Sequence, residues 1–224
     1  MSNSIILLSG GLDSLVALGA YKYKYGIKLA ITFDYGQKSV KQEINASQKI
    51  AEYYNIEHKI INLDWLKDIT HTALVSEDSV PENIIGTKES AESVWVPNRN
   101  GLFLNIAAAF ADSFGYDYII YGANKDEGMT FPDNTEEFRQ KITECFKSST
   151  LKKPEVIAPL INYSKGDIVK IAVQKHVPLE YIRSCYKSNE KHCGKCESCR
   201  HLKNALEQNG AKGYLKLLFG NDEN

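Results

Sequence analysis

An α/β fold with a parallel sheet and helices on both faces follows from two features of this 224-residue sequence. Short apolar runs recur along the chain, separated by stretches of helical periodicity, and such alternation builds βαβ units with right-handed crossovers. Several of those runs stop at a glycine, where parallel strands end and ligands are held. A third feature, four cysteines crowded near the C-terminus, marks off a small helical zinc-binding region. The boundaries read as residues 1–178 for the α/β domain and 179–224 for the appended region.

Each element has a local reason. Residues 5–8, Ile-Ile-Leu-Leu, read as a buried strand, and residues 14–25 as a helix stopped by Gly26. Residues 28–33 form a second apolar run. Residues 39–54 follow, with Val40, Ile44, Ala46, Ile50 and Ala51 on roughly one helical face. Residues 58–61 make a third strand. Residues 71–96 then break the rhythm: Glu77, Asp78, Glu82, Glu89 and Glu92 dominate, as in a long surface connector or a lid. Residues 102–114 are a strongly apolar helix, 117–121 a fourth strand ended by Gly122, and 135–146 an amphipathic helix. Residues 156–158 are a fifth strand. Residues 164–176 form a helix whose Ser-Lys-Gly-Asp start is a capping box with Asp in place of Glu. A last helix spans about residues 196–208, followed by a short tail.

Composition narrows the function classes. Hydrophobic residues make up 43% and charged residues 25%, with a formal net charge of -1, so no basic field points to nucleic acid or a membrane surface. The N-terminus lacks the basic start and apolar core of a signal peptide, and no apolar stretch approaches the roughly 20 residues that span a bilayer. The expected location is the cytoplasm.

The stretch "SGGLDS" at residues 9–14 carries the first chemistry. Glycines after a strand let backbone N–H groups approach an anion, and the following helix turns its positive end toward it. Ser9 and Ser14 add hydroxyls. Asp13 beside a phosphate requires a Mg²⁺ ion or an amide between the two negative charges. A bare Gly-Gly is equally a turn into a helix; the full strand–loop–helix context favours the anion site. The second strand also ends in polar residues, Asp34-Tyr35-Gly36-Gln37, either a plain turn or a wall beside the first loop.

Cys185, Cys193, Cys196 and Cys199 stand in a C-x7-C-x2-C-x2-C pattern. Two-residue spacers bring thiolates around one tetrahedral ion, and four sulfurs leave no open position, so the zinc is structural. A redox pair of Cys193 with Cys196 and an iron–sulfur cluster are the competing readings. His192 and His201 flank the site as bystanders. His58 and His71 carry no spacing signal, and Cys145 reads as a packed residue.

The loop lacks the P-loop's Gly-Lys-Thr/Ser and resembles instead the pyrophosphate loop of the N-type ATP pyrophosphatases, which transfer AMP to a substrate oxygen. "FDYGQ", "VPNRNGLFLNIAAAFA", "GANKDEGMTFPDN" and the cysteines then occur in the order seen in the 7-cyano-7-deazaguanine synthases, a resemblance running from Ile5 to about Gly210. It implies a Rossmann-like, adenine nucleotide alpha hydrolase-like fold and a ligase that takes 7-carboxy-7-deazaguanine, ammonia and ATP to the nitrile, a queuosine and archaeosine precursor. It also implies Mg²⁺, one structural Zn²⁺ and a homodimer.

Carried onto this chain, the ATP loop is Leu8, Ser9, Gly10, Gly11, Leu12, Asp13, Ser14, Leu15, Val16, Ala17 and Leu18, with Asp34 and Gln37 beside the adenosine. Asp13, Ser14 and Arg99 are the catalytic candidates. Arg99, Asn100, Asp126, Glu127, Phe131, Asp133 and Lys165 are the substrate candidates, Arg99 because its planar fork suits phosphate or carboxylate. The plainer alternatives are a salt-bridged Arg99, a solvated acidic loop and a surface Lys165. Lys165 opens a helix, where the dipole disfavours a cation, and a nearby anion explains it. The chain departs from many bacterial members, which carry Tyr-Pro-Asp-Cys-Arg where it has Phe131-Pro132-Asp133-Asn134-Thr135. That substitution motivates a second reading, an adenylating relative that stops at the amide or couples another amine. A non-catalytic zinc module binding tRNA or a protein has no need of Asp13 and Ser14, and a tRNA thiolase lacks a spare cysteine pair near the loop.

Overall fold

The computed structural model describes residues 2–76, 79–82 and 92–220. Five strands, β1 (Ser4–Leu7), β2 (Ile27–Asp34), β3 (Glu57–Asn62), β4 (Tyr118–Ile120) and β5 (Glu155–Ile157), form one sheet in the order β3-β2-β1-β4-β5. Every pairing is parallel. β1 is central, with β2 on one side and β4 on the other, so the chain reverses direction across the sheet at its carboxyl end. Crevices at such a switch point are where open α/β sheets bind ligands.

Side-chain alternation along β1 divides the core. Ile6 and Leu8 face one side, packed with α1 (Leu12–Tyr25), α6 (Lys165–Gln174) and α7 (Glu197–Gln208) through Leu15, Leu18, Ile168, Leu202 and Leu206. Ile5 and Leu7 face the other, packed with α3 (Arg99–Phe114) and α5 (Glu136–Ser149), which the one-turn α4 (Lys125–Gly128) separates in the chain, through Leu104, Ala107 and Phe146. α2 (Val40–Tyr53) lies against β2 and β3, with Ile50 in the first of these clusters. The final helix α8 (Gly213–Phe219) adds Leu218 to that same cluster. Residues 179–220 therefore complete one face of the core while they carry the cysteines.

The boundaries differ from the sequence reading in informative places. α3 begins at Arg99, three residues before the apolar run, because Asn98 turns the chain in the left-handed region with φ 53°. That places Arg99 and Asn100 in the first turn of a helix. α8, read as tail, closes over the core. The capping box of α6 forms as expected, Ser164 accepting from the Asp167 N–H and the Asp167 carboxylate from the Ser164 N–H. Cys145, expected to be packed, is exposed on α5. In the acidic connector, Glu77, Asp78 and Glu89 lie outside the described residues, whereas Leu74, Val80, Val94 and Val96 are buried and anchor its ends. Among the described residues no helix is long and apolar enough to cross a membrane.

Phe146, on α5 where that helix packs against β5, is fully buried and is one of the largest such side chains. Phe146→Ala is expected to lower unfolding stability by about 3–5 kcal/mol, the cost of a large apolar cavity, measured by urea denaturation. A loss below ~1 kcal/mol contradicts this packing.

Candidate functional site

The site starts where β1 runs out of ladder. The Leu8 N–H still donates to Ile31 O at 2.8 Å, but the Leu8 carbonyl has no strand partner. Two side-chain hydroxyls satisfy it, Thr32 Oγ1 from β2 at 2.5 Å and Ser47 Oγ from α2 at 3.0 Å. Beyond it Gly10 takes φ 78°, and a Cβ there lies 2.9 Å from Ala46 Cβ, so only glycine fits between the loop and α2. Gly11 N–H donates to Ser9 Oγ at 3.3 Å, and Ser14 Oγ donates to Gly11 O at 3.1 Å. Gly122, just past β4, presses on the loop from the other side: a Cβ at Gly122 comes 2.8 Å from the Ser14 backbone nitrogen.

Charge is concentrated around Lys165, in the first turn of α6. Its ammonium bonds Asp13 and sits 2.8 Å from Glu127 Oε1, while its backbone N–H donates to Asp126 Oδ2 at 2.8 Å. These carboxylates supply the anions that a cation at a helix start requires. Burial holds the Asp13 carboxyl above the usual carboxylate range, against the pull of Lys165. Burial also works to raise Glu127, but Lys165, Asn124 and Arg99 outweigh it and hold the acid low. Asp13 Oδ1 is buried with no hydrogen-bond partner. It is a strong acceptor with no partner among the described residues.

Around this centre opens a cavity of about 770 Å³. Its apolar wall comes from Phe33, Leu74, Val94, Val96 and Phe103, with Phe33 and Phe103 stacked at 4.0 Å. Trp95 and Phe131 lie nearly parallel, 8° apart, at 5.5 Å. Arg99 reaches in from α3 and donates to Tyr35 Oη at 3.3 Å. Burial opposes its charge, but Tyr35, Asp133 and Glu127 more than offset that and keep the guanidinium firmly protonated. Asp133 accepts from Asn134 Nδ2 at 3.0 Å and from the Asn100 N–H at 3.4 Å, and burial raises its pKa despite Arg99.

The four cysteines converge beside the same cavity. All four Sγ atoms lie within 4.8 Å of one another, and Cys193 and Cys199 are 3.8 Å apart. A tetrahedral ion with bonds of about 2.3 Å sets its sulfurs about 3.8 Å apart, so the cluster has the dimensions of a metal site. Cys185 Sγ accepts from the Lys187 and Cys193 N–H groups, and Cys193 Sγ from those of Lys195 and Cys196, at 3.3–3.5 Å. None of the four is in a disulfide. His192 turns away: its Nε2 accepts from the Ser184 N–H at 3.0 Å.

The family model for the queuosine biosynthesis protein QueC matches residues 3–210. The chain belongs to the QueC family. The 7-cyano-7-deazaguanine synthase of Methanosarcina mazei is 46% identical over 228 residues, covering 97% of this chain and 99% of its own. That of Carboxydothermus hydrogenoformans is 46% identical over 211 residues, 92% of this chain and 98% of its own. A solved 4-thiouridine synthetase, in complex with RNA and bound ATP, superposes with a TM-score of 0.54 at 21% identity, over 96% of this chain and 52% of that one. That likeness is one of fold.

Within this QueC chain, Leu8, Ser9, Gly11, Leu12, Asp13, Ser14, Gln37, Arg99, Asn100, Asp126, Glu127, Phe131, Asp133 and Lys165 line one cavity. Leu15, Val16, Ala17 and Leu18 do not; they are fully buried in the core and hold the loop's helix in place. Gly10 backs the loop against α2, and Asp34 Oδ1 closes a turn by accepting from the Gly36 N–H at 3.1 Å. Gln37 is spent on structure: it accepts from the Tyr35 N–H and donates to Phe33 O and Glu43 Oε2. Thr135, where many members carry Arg, caps α5 by accepting from the Phe138 N–H at 3.2 Å. The sequence reading missed Tyr121, Arg183, Ser184 and Tyr186 on the cavity wall. Only the adjacency of the last three to Cys185 offered a signal.

Lys165 neutralises two acids at once, so Lys165→Met leaves Asp13 without a cation and Glu127 with Arg99 alone. The variant's Asp13 carboxyl then titrates higher still in the folded state than unfolded, and stability falls as pH rises from about 4, the unfolded carboxylate value, through neutrality. A loss of about 3 kcal/mol is expected at pH 7.5, the low end for a broken buried pair because Glu127 is over a third exposed. The loss at pH 5 should be clearly smaller in thermal melts. Equal losses at both pH values contradict this charge assignment.

Proposed function

We propose that this QueC protein converts 7-carboxy-7-deazaguanine and ammonia to 7-cyano-7-deazaguanine, with ATP as the activating reagent. It is an enzyme of the ligase type, acting in queuosine precursor biosynthesis. The observation that carries the reading is one shared cavity, in which the loop after β1 faces an aromatic, apolar slot flanked by Arg99 and Lys165. Such a cavity holds a polyphosphate and a flat heterocycle within reach of each other.

The chemistry needs a leaving group on oxygen twice. A substrate carboxylate oxygen attacks the α-phosphorus of ATP, and the bond to pyrophosphate breaks. Ammonia then adds to the acyl carbon, a proton is lost, and AMP departs with the former carboxylate oxygen, leaving the amide. The amide oxygen attacks a second ATP in the same way. Loss of the remaining N–H protons and of a second AMP leaves the nitrile.

The chain's residues divide this work. The N–H groups at Gly11 and the start of α1, with the Ser9 and Ser14 hydroxyls, cradle the pyrophosphate. Lys165 and Arg99 balance the negative charge that collects there, and Arg99 can grip the carboxylate bidentately. Trp95 and Phe131 offer ring faces to the deazaguanine, and Asp133 and Asn134 acceptors and donors for its edge. Asp13 Oδ1, buried and unpartnered, fits a hard cation, and Mg²⁺ held there offsets phosphate charge. The four thiolates fit Zn²⁺ in a closed, structural site.

Incubation with 7-carboxy-7-deazaguanine, Mg-ATP and ammonia, followed by mass spectrometry, should give the nitrile and AMP. Asp13→Ala should lower AMP release by at least about 10²-fold, the scale of a lost charge-stabilising group, with the fold and metal content retained. Product that ends at the amide, or AMP release at the wild-type rate from the variant, overturns this reading.

A further inference from the structure

We infer that Arg183 is a positioning residue that couples the four-cysteine metal centre to the ATP loop, so that metal retention and nucleotide binding are thermodynamically linked. The inference rests on the ATP reading above and goes beyond it in assigning a role to the metal centre. Arg183 stands two residues before Cys185 and is 6% exposed, an unusual depth for an arginine.

Its backbone acts on the loop. The Arg183 N–H donates to Gly10 O at 2.7 Å. That carbonyl belongs to the same planar trans peptide as the Gly11 N–H, and the two point in opposite directions. Fixing Gly10 O on Arg183 therefore aims the Gly11 N–H away from Arg183, toward Ser9 Oγ at 3.3 Å, and both residues line the cavity in which the ATP reading puts the pyrophosphate. With glycine on both sides, the backbone itself restricts this peptide least, so its orientation depends on such contacts.

Its side chain acts on the metal segment. Nη1 donates to Glu190 O at 3.2 Å and Nη2 to Lys187 O, so the guanidinium gathers the span between Cys185 and Cys193 from within. The neighbouring Ser184 N–H is held by His192, one residue before Cys193. Arg183 Nε is buried without a partner, so the group is kept there by the enclosing loop and not by full hydrogen bonding. A metal that gathers Cys185 and Cys193 thus fixes Arg183, and Arg183 fixes the Gly10–Gly11 peptide. A nucleotide that needs that peptide orientation must in turn favour the metal-bound state, because linkage is reciprocal.

The test reads the equilibrium partition of zinc between the zinc-loaded protein and a competing chromophoric chelator, with and without Mg²⁺ and an ATP analogue carrying a methylene bridge between its α- and β-phosphates. Analogue binding is measured separately by calorimetry. In the wild type, saturating analogue should raise the apparent zinc affinity about fivefold or more, within the usual range of coupling between sites. Arg183→Met should show one zinc affinity whether or not the analogue is bound, and Arg183→Lys should restore part of the difference. A merely structural arginine lowers the affinity equally in both conditions and keeps the ratio. Analogue that binds the wild type without changing its zinc affinity overturns the coupling, even if Arg183→Met fails to fold. Analogue that does not bind at all overturns the ATP reading instead.

Discussion

Everything at this site depends on how the chain leaves its central strand. β1 is buried on both faces, so the first carbonyl without a ladder partner, that of Leu8, cannot be left to water. An unsatisfied buried carbonyl costs more than a typical hydrogen bond returns. Thr32 and Ser47 answer that constraint from β2 and α2, and by doing so they fix the point from which the Ser9-Gly10-Gly11 turn departs. Gly10 against Ala46, Gly122 against Ser14 and Arg183 against Gly10 then hold the loop from three further sides. The loop's shape is set by the surrounding chain before any ligand arrives.

The second layer is electrostatic. Lys165 at the start of α6, against the helix dipole, is tolerable only because Asp13 and Glu127 surround it. The same three groups leave one Asp13 oxygen unpaired. On the proposed function, a polyphosphate with its cation enters a site already holding both signs of charge, and Lys165 is shared between acid and phosphate.

Much of this was legible in the sequence, for definite reasons. The run of Ile5 to Leu8 reads as a buried strand because it is short and wholly aliphatic, the glycine pair after it breaks that strand, and the cysteine spacing admits few geometries. Lys165 was legible as an anomaly, a cation where the dipole disfavours one. Other features left no local trace. Leu15 to Leu18 look like part of the loop motif but lie in the core, because this turn of α1 is enclosed between the sheet and α6. Gln37 looks like a ligand group, yet its amide is consumed by Phe33, Tyr35 and Glu43. Arg183 and Tyr186 reach the cavity only because the chain after α6 returns to the loop, where the Arg183 N–H bonds Gly10 O, a tertiary fact that no periodicity encodes. Thr135 reads as a lost substrate arginine and proves to be a helix cap.

In the proposed reaction substrate oxygen, and not ammonia or water, attacks the α-phosphorus of an ATP held beside this loop. The direct measurement uses 7-carboxy-7-deazaguanine labelled with ¹⁸O in both carboxylate positions and follows the label by mass spectrometry of the nucleotides. Attack by the substrate oxygen requires that every AMP formed on the way to the nitrile carry one ¹⁸O. Label that appears in inorganic phosphate or in water, with unlabelled AMP, contradicts it.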